Sequence, residues 1–171
     1  MAAEWYNKQP KNRNFLAPIG FKLNLERFEG TDFFCQSVNL PDISVSFTEV
    51  PTRFRGFPII AGGGVTYGDL NVNFIIDEDL QNYNSIHKWI KINGASEGHP
   101  NIDAIQYSNG QLFITTSNFN NQFIIDYEKL FPISLSEVRF DATVTDIEYF
   151  TAQVTFKYTG FTIRNKNFKP I

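Results

Sequence analysis

Apolar and polar residues alternate along most of this chain. Ile19, Phe21, Leu23 and Leu25 alternate with Gly20, Lys22, Asn24 and Glu26. A period of two predicts a half-buried strand, because successive side chains point to opposite faces. Gly30 marks a turn, and Phe33 to Asn39 reads as the return strand, broken by Leu40-Pro41-Asp42. Ile43, Val45 and Phe47 alternate with Ser44, Ser46 and Thr48 in a third strand. Phe57 to Ile60 reads as another, kept short or at an edge by Pro58. The stretch AGGGVTYG is expected to be a flexible loop before the next strand, in which Leu70, Val72, Phe74 and Ile76 alternate with polar partners.

At Asp77-Glu78-Asp79 the rhythm changes. Leu80, Tyr83, Ile86 and Ile90 are spaced for one apolar helix face, with Trp89 adding bulk beside it. Lys88 and Lys91 fall in the last turns and Gly94 follows as a stop. The spacing predicts one helix over about 77–93. Acids in a first helical turn complement its positive end by about 0.3–1 kcal/mol each, and Asp77 or Asp79 is placed to cap it.

Residues 95–110 are polar and loop-like, and two short strands, Gln111 to Thr115 and Gln122 to Asp126, flank the turn SNFNNQ. LFPISLSEV is extended. The longest strand pattern sets Phe150, Ala152, Val154, Phe156 and Tyr158 against Thr151, Gln153, Thr155 and Lys157. At Gly160 the phase slips, which a bulge there accounts for, and Phe161 and Ile163 continue in the new register. The count is roughly eight strands and one inserted helix. The fold class is mainly β: an antiparallel sandwich or barrel with one packed helix. A polar arm over residues 1–14 precedes a single domain over 15–163, and a basic tail over 164–171 follows. Trp5 and Tyr6 are large aromatics on an otherwise polar arm, so they are expected to dock on the body or on a neighbour.

Bulk composition changes this picture little. At 171 residues, with 42% hydrophobic and 19% charged, the chain has the makings of one globular domain. Aromatics reach 16%, and 18 of them are Phe, which favours strands. A net charge of −3 argues against a sequence-reading nucleic-acid binder. Cys35 is the lone cysteine, so no internal disulfide forms, and its apolar surroundings suggest a small buried thiol. The N-terminus has no apolar core of a signal peptide, and no window approaches 18 apolar residues. The expectation is a part made in a cytoplasm and working in solution.

No catalytic constellation emerges. His87 and His99 lack paired metal-ligand spacing. Cys35 has no signature base, and an apolar run raises rather than lowers a thiol pKa. AGGGVTYG is neither GxGxxG nor a P-loop, and it precedes a strand instead of opening a helix. Three adjacent acids lack the staggered ligands of a calcium loop. The expectation is a binding or building module with no cofactor and no metal.

The order of GFKLNLERF, FFCQSVNLPDI, a glycine loop, GDLNVNFIIDEDLQNYNSIHKWI, LFPISLSEVRF and IEYFTAQVTFKYTGFTI resembles the tail tube proteins of contractile-tailed bacteriophages. That family is related to type VI secretion tube proteins and to tube-like baseplate hub proteins. The resemblance covers roughly residues 15–163. It implies a small β-sandwich or barrel whose copies close into a hexameric ring. Rings stack into a tube inside a contractile sheath, and viral DNA passes down it without being read. Partners would be copies of the chain, neighbouring rings, sheath and baseplate proteins, in a virion assembled in the host cytoplasm. On this basis Thr151, Gln153, Thr155 and Lys157 are candidate lumen-facing residues. Trp5, Tyr6, Gly62, Gly63, Gly64, Asp77, Glu78, Asp79, Arg164 and Lys166 are candidate inter-subunit contacts. The competing reading is a monomeric β-sandwich that binds carbohydrate or another ligand, using the abundant aromatics and Asn.

Overall fold

The computed structural model describes residues 16–26, 34–94, 106–116, 118–143, 149–166 and 169. The arm, including Trp5 and Tyr6, lies outside them, as does His99. The fold is mainly β and antiparallel, with one helix among the described residues. Strands β1 (Phe21–Leu25), β2 (Cys35–Val38), β5 (Leu70–Ile75), β6 (Ser108–Thr115), β7 (Asn121–Leu135) and β8 (Thr151–Lys157) pair in the order β1-β6-β7-β8-β5-β2, and β9 (Gly160–Asn165) also pairs with β7. Apart from these, β3 (Ile43–Pro51) and β4 (Gly56–Tyr67) pair only with each other.

The alternating pattern does what its period requires. Leu23 and Leu25 of β1, Leu70, Val72 and Phe74 of β5, and Ala152, Val154 and Phe156 of β8 enter one core, while their neighbours face outward. Helix α1 (Gln81–Gly94) covers that core with Ile86 and Trp89. Trp89 is the centre of the helix contact rather than its flank. It is 2% exposed, lies 6.1 Å from Phe156 ring to ring, and its indole donates to the Gln106 carbonyl at 2.7 Å.

β7 is long because it serves both halves of the main sheet. Residues 123–128 pair with β9, and 131–135 pair with β8. Between them Lys129 takes φ 51°, a left-handed turn of the backbone. Opposite this kink the chain leaves β8 after Lys157 and resumes as β9 at Gly160, with the Thr159 amide donating to Glu128 at 2.9 Å. The phase slip at Gly160 is therefore a break shared by two neighbouring strands, not a bulge in one. β9 also runs through Asn165, so Arg164 belongs to a strand and not to the tail.

Three further expectations change. The helix begins at Gln81, with no acid in its first turn, so Asp77, Glu78 and Asp79 form a turn ahead of it. Leu80 takes φ 56° and is 43% exposed, so it closes that turn instead of packing on the helix face. LFPISL is not a separate strand but the second half of β7, and β6 begins at Ser108, earlier than Gln111. The third change concerns the glycine run, which is part of β4 rather than a loop.

Candidate assembly site

Strands β3 and β4 make a two-stranded ribbon in which every described side chain of β3 is exposed. Its root is fixed. The Gly68 amide donates to Asp42 at 2.9 Å, and the Tyr67 ring packs on Tyr158 and Phe161 at 6.0 and 5.5 Å. Near the root, the register puts Ile43, Val45, Val65 and Tyr67 on one face and Ser44 and Thr66 on the other. Beyond the glycines both faces carry apolar residues. Phe47 and Ile60 share one with Pro58 and Glu49, while Ile59, Val50 and Phe57 share the other with Thr48. Phe47 is 64% exposed and Ile60 79%. Isolated two-stranded ribbons are marginal in water, and contiguous exposed apolar surface marks a contact site.

Gly62, Gly63 and Gly64 sit where the ladder is interrupted. Val45 pairs with Val65 and Phe47 with Ile60, so the four residues 61–64 oppose Ser46 alone. Gly62 and Gly64 have φ 71° and 81°, a region that side chains with a Cβ rarely adopt. A Cβ on Gly63 would lie 2.2 Å from Ser46 Oγ. The glycines are thus needed for backbone geometry, the usual reason for glycine within a strand.

The ribbon ends in PTRFRG, a segment that the strand-by-strand reading passed over. A turn closed by Thr52 and Arg55 leaves Phe54 93% exposed, with the Arg53 guanidinium 5.7 Å from its ring. The available signal was an aromatic between two arginines, next to a proline and a glycine, in a turn.

On the main sheet, Thr151, Gln153 and Lys157 are exposed and Thr155 is half-buried, all on the face opposite the core. Asn71 and Asn73 of β5 lie beside Thr155 and Gln153. The Thr155 hydroxyl donates to Asn71 Oδ1 at 2.9 Å, Asn73 donates to Ser37 Oγ at 2.8 Å, and the Gln153 amide donates to Ser136 Oγ at 2.9 Å. Lys157 pairs with Asp69. The result is a tied carpet of amides and hydroxyls, its one lysine neutralised.

The acidic turn is held at its start. Asp77 Oδ1 accepts the Asn82 amide at 3.4 Å, and Asn82 in turn donates to the Ile75 carbonyl at 2.8 Å. Glu78 and Asp79 are exposed. Arg164 is engaged within its own chain, its Nε 2.9 Å from Asp126 Oδ2, while Gln111 donates to Asp126 Oδ1 at 2.8 Å. Lys166 is exposed. Cys35 is half-buried, and burial pushes its thiol up to about 11, which makes it a poor nucleophile. No cluster of three His, Cys, Asp or Glu side chains suited to a metal ion occurs among the described residues.

The model of the phage tail tube protein family matches residues 7–164, and the chain belongs to that family. It is a structural tail tube protein, not an enzyme. No curated protein sequence matches it. Solved structures share its fold, three of them as follows. The tube-terminating cap of the anti-feeding prophage aligns with TM-score 0.66 and 16% identity, over 96% of this chain and 99% of that one. The sheath-tube complex of the extracellular contractile injection system PVC gives TM-score 0.64 and 15% identity, over 90% and 93%. The anti-feeding prophage baseplate gives 0.61 and 9%, over 84% and 90%.

Proposed function

We propose that copies of this chain close into a hexameric ring of a contractile phage tail and that the amide-and-hydroxyl face of β8 and β5 lines its lumen. The observation that carries the assembly is the ribbon, which exposes Phe47 and Ile60 on one face and Val50, Phe57 and Ile59 on the other. A monomeric ligand-binding module has no use for such an element. Ring closure covers it and also shelters sheet edges that a lone domain must protect. The lumen assignment rests on the lack of free charge on the carpet, since charge on the phosphate backbone dominates protein–DNA attraction. A wall of uncharged threonine, glutamine and asparagine side chains, with Thr155 tied to Asn71 and Asn73 to Ser37, lets viral DNA pass without holding it. Neighbouring rings, sheath and baseplate proteins are the other partners, with Trp5 and Tyr6 as candidate contacts.

Negative-stain microscopy of the concentrated protein tests the ring directly. Closed rings or stacked tubes are expected, and a homogeneous monomer at every concentration would sink the proposal. For the lumen, Thr151→Lys with Gln153→Lys should leave rings intact and impair DNA ejection from assembled phage. Unchanged ejection from that basic channel would reject the assignment.

A further inference from the structure

We infer that the tip of the ribbon docks on a second copy of this chain, at the surface where the acidic turn meets the start of β8. The inference deepens the ring reading and rests on it for its biological meaning.

The ribbon is rooted at one end of β5 and the acidic turn lies at the other. The ribbon's root adjoins the start of β5, since Tyr67 precedes Leu70 and packs beside Tyr158 at the end of β8. The acidic turn follows Ile75 at the far end of β5, about 20 Å away for a six-residue strand. There the Ile76 amide donates to the Phe150 carbonyl at 2.9 Å, so the start of β8 lies against the residue before Asp77. Phe150 stacks on Phe140 with ring centroids 5.0 Å apart. Phe140 is 72% exposed, Tyr149 67% and Leu80 43%. This end of the molecule therefore carries an apolar patch bordered by acids.

Charge follows the same division. Asp77, Glu78 and Asp79 precede the helix, and Glu137 and Asp141 flank Phe140 in sequence. Arg139 is the basic residue of that stretch and already pairs with Glu137 at 3.5 Å. Hydrogen bonds from the Thr143 hydroxyl and amide hold the Asp141 carboxyl below its usual range. The ribbon tip presents the complement: Phe54 projects between Arg53 and Arg55, with Glu49 set back on β3. Aromatic and arginine side chains are the usual anchors of protein interfaces. Among the described residues both surfaces are exposed. Two different, complementary surfaces on one subunit make a head-to-tail contact, which closes into a ring or propagates as a stack.

Charge reversal provides the test. Arg53→Glu with Arg55→Glu, or Glu78→Lys with Asp79→Lys, should each raise the concentration needed for assembly by about tenfold or more in sedimentation. The chain carrying all four changes should assemble again, because both partners have exchanged sign. All of these residues lie outside the core, so circular dichroism should be unchanged in every variant. Undiminished assembly of either reversed pair, alongside assembling wild type, overturns the docking and leaves the ring reading standing.

A second readout does not depend on large assemblies. Phe54→Cys and Leu80→Cys, each made in Cys35→Ser protein, are mixed and oxidised. A disulfide-linked dimer that forms only in the mixture supports the docking, and its absence overturns it. Cross-linked dimers without rings would instead reject ring closure alone.

Discussion

Strands β3 and β8 carry nearly the same pattern and meet opposite fates. ISVSFTE and TAQVTFK both alternate apolar with polar residues over seven positions. In β8 the apolar side chains are sealed, with Ala152, Val154 and Phe156 at 2%, 1% and 0% exposure. In β3 the equivalent residues stand in the open, with Ile43, Val45 and Phe47 at 59%, 48% and 64%. A period of two states which face of a strand needs cover, not which molecule supplies it. β8 finds its cover in α1 and the other strands of its own chain. β3 finds none among the described residues, and the proposed ring would supply it.

Mutation should separate the two strands most sharply at their phenylalanines. Phe156→Ala empties a fully buried site and should cost about 3–5 kcal/mol of monomer stability, read by thermal or denaturant unfolding. Phe47→Ser should leave monomer unfolding within about 0.5 kcal/mol of wild type, while sedimentation shows assembly weakened. If both changes destabilised the monomer equally, the comparison would collapse.

Trp89→Phe should come next in size. It removes the indole donor to Gln106, but that carbonyl also accepts from Asn93 Nδ2 at 3.1 Å. The loss should therefore be about 1 kcal/mol, seen as a lower unfolding midpoint with assembly unchanged.

Tyr127 offers a change of opposite sign. Its hydroxyl is buried without a hydrogen-bond partner, so Tyr127→Phe should be neutral or stabilising by about 1 kcal/mol. Burial also holds the Tyr127 phenol above its ordinary value, and Tyr158 is pushed up to about 12 by burial and by the nearby Asp42 and Asp69. Folded values that are raised mean that stability is complete below the ordinary thiol and phenol range. Stability is then lost as pH rises through it, because the unfolded chain deprotonates first. Unfolding midpoints should accordingly fall between about pH 9 and 12, with Cys35 contributing to the lower part of that range. Tyr127→Phe should flatten part of the decline. A midpoint that stayed level to pH 12 would contradict this account. Thr155→Val, which removes only the bond to Asn71 on the polar face, should have the smallest effect and leave both unfolding and assembly nearly unchanged.

Much of the main sheet was legible because its strands are buried on one face and polar on the other. The helix was legible by spacing, but its start was misplaced by four residues, from 77 to 81. Acids suit a first turn equally well whether or not the backbone enters it. Here Leu80 turns left-handed and Asn82 ties the helix to Ile75, neither of which propensity reveals. The glycine run misled for a related reason. Consecutive glycines read as freedom, yet in β4 they supply two specific left-handed conformations inside a ladder. Arg164 looked like a free cation in a tail, and only the pairing of β9 with β7 brings it to Asp126. The candidates on the acidic turn share an end of the molecule with Phe140, Tyr149 and Phe150. No spacing rule links those segments, because strand pairing alone brings them together.

The insert in β4 also changes arithmetic. From Ile60 to Val65 is five steps, while from Phe47 to Val45 is two. In an extended strand an odd number of steps ends on the opposite side, yet Ile60 and Val65 both pair with residues on one face of β3. Glycine at φ 71° and 81° absorbs that odd step, so the insert works as a parity corrector. Losing or gaining a single residue there would exchange the sides of everything beyond it. The tip is built to tolerate such an exchange: Ile59 and Ile60 are adjacent isoleucines, and either can take the other's place. The root, apolar on one side only, has no such latitude. Length variation in this ribbon should therefore be confined to the glycines, where a frameshift of faces does least harm.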